Sequence, residues 1–165
     1  MNTPKKVITL MIISSSLLIN QSSIADVASG DSRAHLVVGL NIFQAQELNF
    51  GNILPDTSGD TILLSHDSIE SVTGNSTLNG GHSHAIFSVY GESSTVVNIQ
   101  ITSETALEGS GTSMAVNNFT TQASLSPTLN SSGYYPIKVG ASLSVNASQT
   151  PGVYTGSYSI TVSYN

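Results

Sequence analysis

Apolar residues fall at every second position through most of this chain, most clearly at its end. Tyr158, Ile160, Val162 and Tyr164 share one parity, while Thr155, Ser157, Ser159, Thr161, Ser163 and Asn165 share the other. Period two sends the two sets to opposite faces of a strand, one apolar and one hydroxyl or amide. Near the other end, Ala34, Leu36, Val38, Leu40 and Ile42 alternate with Arg33, His35, Val37, Gly39 and Asn41. Shorter alternations run through Ala85, Phe87 and Val89, through Val97, Ile99 and Ile101, and through Ala141, Leu143, Val145 and Ala147. A short strand is expected at 61–65, and another begins at Met114 and Val116. Turn clusters at 55–59 and 110–113, with Pro151 and Gly152, punctuate the pattern. Residues 71–81 read as loop or weak strand. Residues 104–108 are the nearest approach to a helix and read as a loop. Many short strands with regular turns predict an all-β sandwich or barrel of antiparallel sheets, each with one wet side.

The first residues break that pattern. Lys5 and Lys6 precede apolar stretches at 7–13 and 17–19, and Ser23, Ile24 and Ala25 form a small-x-small cleavage site. This predicts a signal peptide over 1–25 and a single exported domain over 26–165. The apolar part is too short and too interrupted by serines to span a bilayer. Without Lys5 and Lys6, only Arg33 and Lys138 remain against ten carboxylates. A net charge of about −8 argues against nucleic acid and anionic membrane partners. Charged residues make up 8% of the chain, where about a quarter is usual. Ser, Thr, Asn and Gly take their place, which suits an extracellular β-protein. There is no cysteine, so neither disulfides nor thiolate metal sites are available.

Candidate chemistry is sparse. The chain has no G-x-S-x-G elbow and no H-E-x-x-H helix, and its carboxylates sit mostly in turns. His82 and His84 could share a strand face and hold one metal, but no third ligand is nearby, so surface histidines are the preferred reading. Asn75, Asn118, Asn130 and Asn146 open N-x-S/T triplets, which matter only in a host that glycosylates exported proteins. No catalytic residue, cofactor or enzymatic activity is expected.

Several blocks resemble a known group. Tyr164 is a penultimate aromatic, and Gly152 is the fourteenth residue from the end. These positions are similar to the ends of fimbrial subunits assembled by the chaperone–usher route. Leu40, Asn41 and Ile42, then Leu48, Asn49, Phe50 and Gly51, resemble the opening of archaic-type pilins and spore coat protein U-like domains. The stretch from Pro151, Gly152, Val153, Tyr154, Thr155 and Gly156 into Tyr158–Val162 matches the same group. The whole chain also looks like a bacterial envelope family of unassigned function. That family has an L-x-F-G opening, an F-x-V-x-G middle (Phe87 to Gly91) and a P-G-x-Y-x-G ending.

The resemblance implies an immunoglobulin-like sandwich lacking its last strand and completed by strand donation in the periplasm of a Gram-negative cell. Ala34, Leu36, Val38, Leu40 and Ile42 would be the donor residues. Gly152, Tyr158, Ile160, Val162 and Tyr164 would line the acceptor groove, first covered by a periplasmic chaperone. The implied partners are copies of itself or related subunits, a chaperone and an usher, and the implied destination is the cell surface, as a fimbrial or adhesive subunit. Many archaic pilins carry a disulfide near the first strand, and this chain departs from that pattern. Two other readings stand beside it. One is a monomeric secreted binding module closed by its own first strand. The other is a small outer-membrane barrel, against which stand the absence of Trp and the final Asn165.

Overall fold

The computed structural model describes residues 29–67, 70–122 and 124–165. The leader read over 1–25 lies outside the described residues. Residues 29–35 belong to a unit separate from 36–165 and are exposed and without regular structure. Residues 36–165 form the second unit, which carries every strand among the described residues. Among the described residues there is no helix, and the antiparallel sheets curl into a half-barrel.

The strands are β1 (Asn41–Gln46), β2 (Ile53–Leu54), β3 (Asp60–Leu64), β4 (Glu70–Thr73), β5 (Thr77–Leu78) and β6 (Ala85–Tyr90). They continue as β7 (Val97–Ile101), β8 (Glu104–Leu107), β9 (Met114–Thr121), β10 (Tyr134–Val145) and β11 (Ile160–Tyr164). The main sheet runs β1-β6-β10-β3-β4, with β9 and then β8 added at the other edge of β10. Two smaller pairs, β11 with β7 and β2 with β5, complete the fold.

β10 is the hub. Its first half pairs with β6, from Tyr134 opposite Tyr90 to Val139 opposite Ala85. Its second half pairs with β3, from Ala141 opposite Leu64 to Val145 opposite Asp60. The change of neighbour falls at Gly140, where a Cβ would lie 2.3 Å from the Leu64 carbonyl oxygen. Only glycine lets the three strands approach there. Neighbours on both edges and packing on both faces bury every residue from Val139 to Leu143, which removes the alternation a half-wet strand would show. Pro136 is tolerated because its backbone faces away from β6. There the Gln122 side chain replaces a strand, donating to the Pro136 carbonyl at 2.6 Å and accepting from the Lys138 N–H at 2.6 Å.

Two apolar clusters form the core. Phe50, Ile62, Leu64, Met114, Val116, Ala141, Leu143 and Val145 make the first. Ala85, Val89, Val97, Ile99, Leu129, Ile137 and Val139 make the second, against which Leu40, Ile42 and one face of β11 pack. Leu48 and Phe119 touch both.

Some local expectations change. Residues 34–42 do not form one strand: regular structure begins at Asn41, and 31–39 are exposed. Alternation alone does not make a strand without a neighbouring edge to bond, and among the described residues 34–39 have none. Residues 104–107, read as loop, form β8, because β9 offers them an edge from Glu104 opposite Asn117 to Leu107 opposite Met114. Part of 71–81 is strand, in β4 and β5.

Candidate functional site

Two long ribbons are bonded along one edge only. The first runs from β1 through β2. It pairs with β6, then through Asn49 with Ser83, then with β5. The second runs from Thr155 through β11 and pairs with Glu108, Thr102 and β7. Thr102 N–H donates to the Ser159 carbonyl at 3.0 Å, and Asn165 N–H to the Val96 carbonyl at 3.3 Å. With the β11–β7 register, these bonds fix which backbone groups face β7: those of Ser159, Thr161, Ser163 and Asn165. The N–H and C=O groups of Ile160, Val162 and Tyr164 therefore point to the other edge. Among the described residues no strand pairs with that edge, nor with the outer edge of β1.

Between the ribbons lies a cleft of about 850 Å3. Residues 47–55 form one wall and 149–158 the other. Its floor is the first core cluster itself, through Met114, Val116, Leu143 and Val145. Leu54, 67% exposed, and Val153, 83% exposed, stand on opposite walls. Both are large apolar side chains left in water beside a hole that reaches the core.

Tyr158 lies in the second wall. Its ring meets Phe87 edge-on at 6.0 Å and Phe119 at 5.0 Å. Its hydroxyl is buried and has no hydrogen-bond partner among the described residues. Burial pushes this phenol up to about 12. A buried hydroxyl without a partner is costly.

Tyr164, at the far end of β11, is fully engaged. Its hydroxyl accepts from the Glu92 N–H at 2.7 Å and donates to the Val38 carbonyl. The Glu92 carboxylate accepts from the Val38 N–H at 3.1 Å. Gly91 makes room for this knot, since a Cβ there would lie 2.6 Å from the Tyr164 hydroxyl and 2.7 Å from Leu40.

The chain belongs to the DUF4402 family. The model of that domain of unknown function matches residues 40–164. No curated protein and no solved structure matches the chain. The matched span of the DUF4402 domain begins at Leu40, so it contains both ribbons and the cleft but not the exposed residues before it.

The residues read as donors divide at that boundary. Leu40 and Ile42 are half-buried in the body of the DUF4402 domain, Ile42 opposite Val89, whereas Ala34, Leu36 and Val38 are exposed. Of the residues read as acceptors, Gly152 and Tyr158 line the cleft. Ile160, Val162 and Tyr164 continue the same ribbon, half-buried on the second core cluster. His82 and His84 stand just before β6. Burial is the main cause lowering the pKa of His84, with Lys138 adding to it. Among the described residues no group of three or more His, Asp or Glu side chains could hold a metal. The sequence reading did not find Leu54, Val153 or Glu92. The first two adjoin Pro55 and Gly152 and so looked like parts of turns; nothing in the sequence marks the third.

Proposed function

We propose that this protein is an exported structural or adhesive subunit whose cleft takes an extended segment from a second copy. The observation that carries the reading is the cleft floored by core residues, whose two walls continue into ribbons with outer edges that no strand pairs among the described residues. An extended segment laid in the cleft and on along β11 would meet the backbone groups of Ile160, Val162 and Tyr164 and send alternate side chains towards the core. The segment best suited to it is 29–37, with Ala34 and Leu36 on one parity; Val38, next on that parity, is already held by Glu92 and Tyr164. Leu36 is 87% exposed. Burying it contributes about 1.5–3 kcal/mol, and each ladder bond adds about 1 kcal/mol net. By the same reasoning an uncovered cleft is an aggregation hazard, so an export chaperone that covers it before assembly, and an outer-membrane usher, fit the reading.

The test is the oligomeric state of Leu36→Asp. Leu36 contributes no core packing to its own body, so the variant should keep the thermal stability of the wild type while its multimers disappear on size exclusion. Unchanged multimers, or a wild type that never multimerises even when purified with its export partner, would remove the proposal. A monomer that loses stability in Leu36→Asp would favour the other reading, a binding module whose cleft, within the usual size of ligand sites, is closed by its own segment.

A further inference from the structure

We infer that the outer face of β1, β6 and β10 is a glycan-binding platform for a short oligosaccharide of neutral sugar rings carrying one carboxylate. This face is not part of the cleft, so its role stands apart from strand insertion. In each of the three strands one parity packs on the second core cluster: Ile42 in β1, Val89 in β6, Ile137 and Val139 in β10. The other parity faces outward. Register places Asn41, Tyr90 and Tyr134 on one rung of that face, Phe43, Ser88 and Pro136 on the next, and Gln46, Ile86 and Lys138 on a third. The Phe43 and Tyr90 rings stack 5.9 Å apart at an interplanar angle of 11°, and Tyr134 meets Tyr90 at 5.0 Å. None of the three belongs to either core cluster, and Phe43 is 49% and Tyr90 43% exposed. Large rings left half in water, packed on one another and not on the core, mark an interaction surface.

Charge narrows the occupant. Residues 36–165 contain one lysine or arginine, Lys138, and it stands on this face. None of β1, β6 and β10 contains a carboxylate. The ammonium draws an anionic group to this face, while the net negative charge of the chain repels densely charged polymers. A single acid on an otherwise neutral ligand satisfies both. Lys138 is four residues along β10 from Tyr134, or about 13 Å. One sugar ring does not reach from the aromatic rung to the ammonium, and a short oligosaccharide does. Aromatic rings present a negative face, which attracts the C–H groups on the apolar side of a pyranose. The sugar hydroxyls then meet the exposed Asn41 amide and the phenol oxygens of Tyr90 and Tyr134. An aliphatic protein surface laid on the same rings would cover those polar groups without pairing them, which is costly.

The experiment titrates isotope-labelled protein with sialyllactose and with xylotriose bearing one glucuronate, each beside its neutral counterpart, lactose or xylotriose, and follows the amide NMR signals. At least one acidic sugar should bind and shift the amides of 41–46, 84–90 and 134–138. It should bind about threefold more tightly than its neutral counterpart, as for an exposed ion pair. Phe43→Ala and Tyr90→Ala should keep the wild-type melting temperature and bind about fivefold more weakly. Lys138→Gln should erase the preference for the acidic sugar and leave binding of the neutral one unchanged. All three variants should keep wild-type multimers, since the cleft is untouched. Four results would each overturn the platform: neither acidic sugar binds, the shifts centre on 47–55 and 149–158, a glutamate-rich peptide binds as tightly as the sugars, or Tyr90→Ala loses its multimers. The first leaves strand insertion standing. A wild type that binds sugar on this face but never multimerises would remove strand insertion and leave the platform.

Discussion

Replacing Tyr158 by phenylalanine should make the folded domain more stable. The substitution removes one oxygen atom and leaves the ring in contact with Phe87 and Phe119. In the subunit that oxygen is buried without a partner among the described residues. Such a hydroxyl costs about 1–3 kcal/mol relative to its hydration in the unfolded chain, so its removal should recover about 1 kcal/mol. For a domain of this size that raises the melting temperature by about 4 °C. The alkaline limb gives an independent check. The phenol titrates near 10 when unfolded and near 12 when folded. Its contribution is therefore complete below pH 10 and is lost as pH rises from 10 towards 12. Other tyrosines titrate in the same range, so the measured quantity is the difference between variants. The phenylalanine variant should lose less stability than wild type between pH 9 and pH 11.5. A variant less stable than wild type by more than about 1 kcal/mol at pH 7 would mean that the hydroxyl already has a partner, and the argument would fail.

Three further outcomes follow from packing. Leu143→Ala, at a fully buried site where β10 meets β3 and β9, should cost about 2–5 kcal/mol by chemical denaturation, and a loss below 1 would contradict the core described here. Gly140→Val should prevent accumulation of folded protein, because its Cβ would meet the Leu64 carbonyl; a soluble variant with a wild-type circular dichroism spectrum would show that the strands can part there. Val162→Asp places a carboxylate on the half-buried face of β11 and should lower the melting temperature by 10 °C or more, whereas Thr161→Asp, on the exposed face, should change it by less than a few degrees. Equal effects at the two positions would mean that the strand is not sided as described.

Sidedness explains which parts of the fold could be read from sequence. β11 was legible because Ser159, Thr161 and Ser163 face water while Ile160, Val162 and Tyr164 face the core, so the environment wrote period two directly into the residues. The first half of β10 was not, because Pro136 argues against a strand until Gln122 is seen to complete its outer edge. β8 was missed because Glu104 and Ala106 have weak strand preference, and the pairing of 104–107 is decided by β9. The cleft could be read only in part. Tyr158 and Gly152 were picked out on one wall. Leu54 and Val153 come together from positions almost a hundred residues apart, and no local pattern connects them.

The Gln122 side chain that completes the edge of β10 has a consequence for digestion. Within residues 29–165, a protease that cuts after basic residues has only Arg33 and Lys138 to choose from. Lys138 lies within β10, opposite Ile86, with its amide held by Gln122, so cleavage there requires the hub strand to unfold first. Arg33 is exposed. Brief trypsin treatment of native protein should therefore trim the chain at one place and leave residues 34–165 whole.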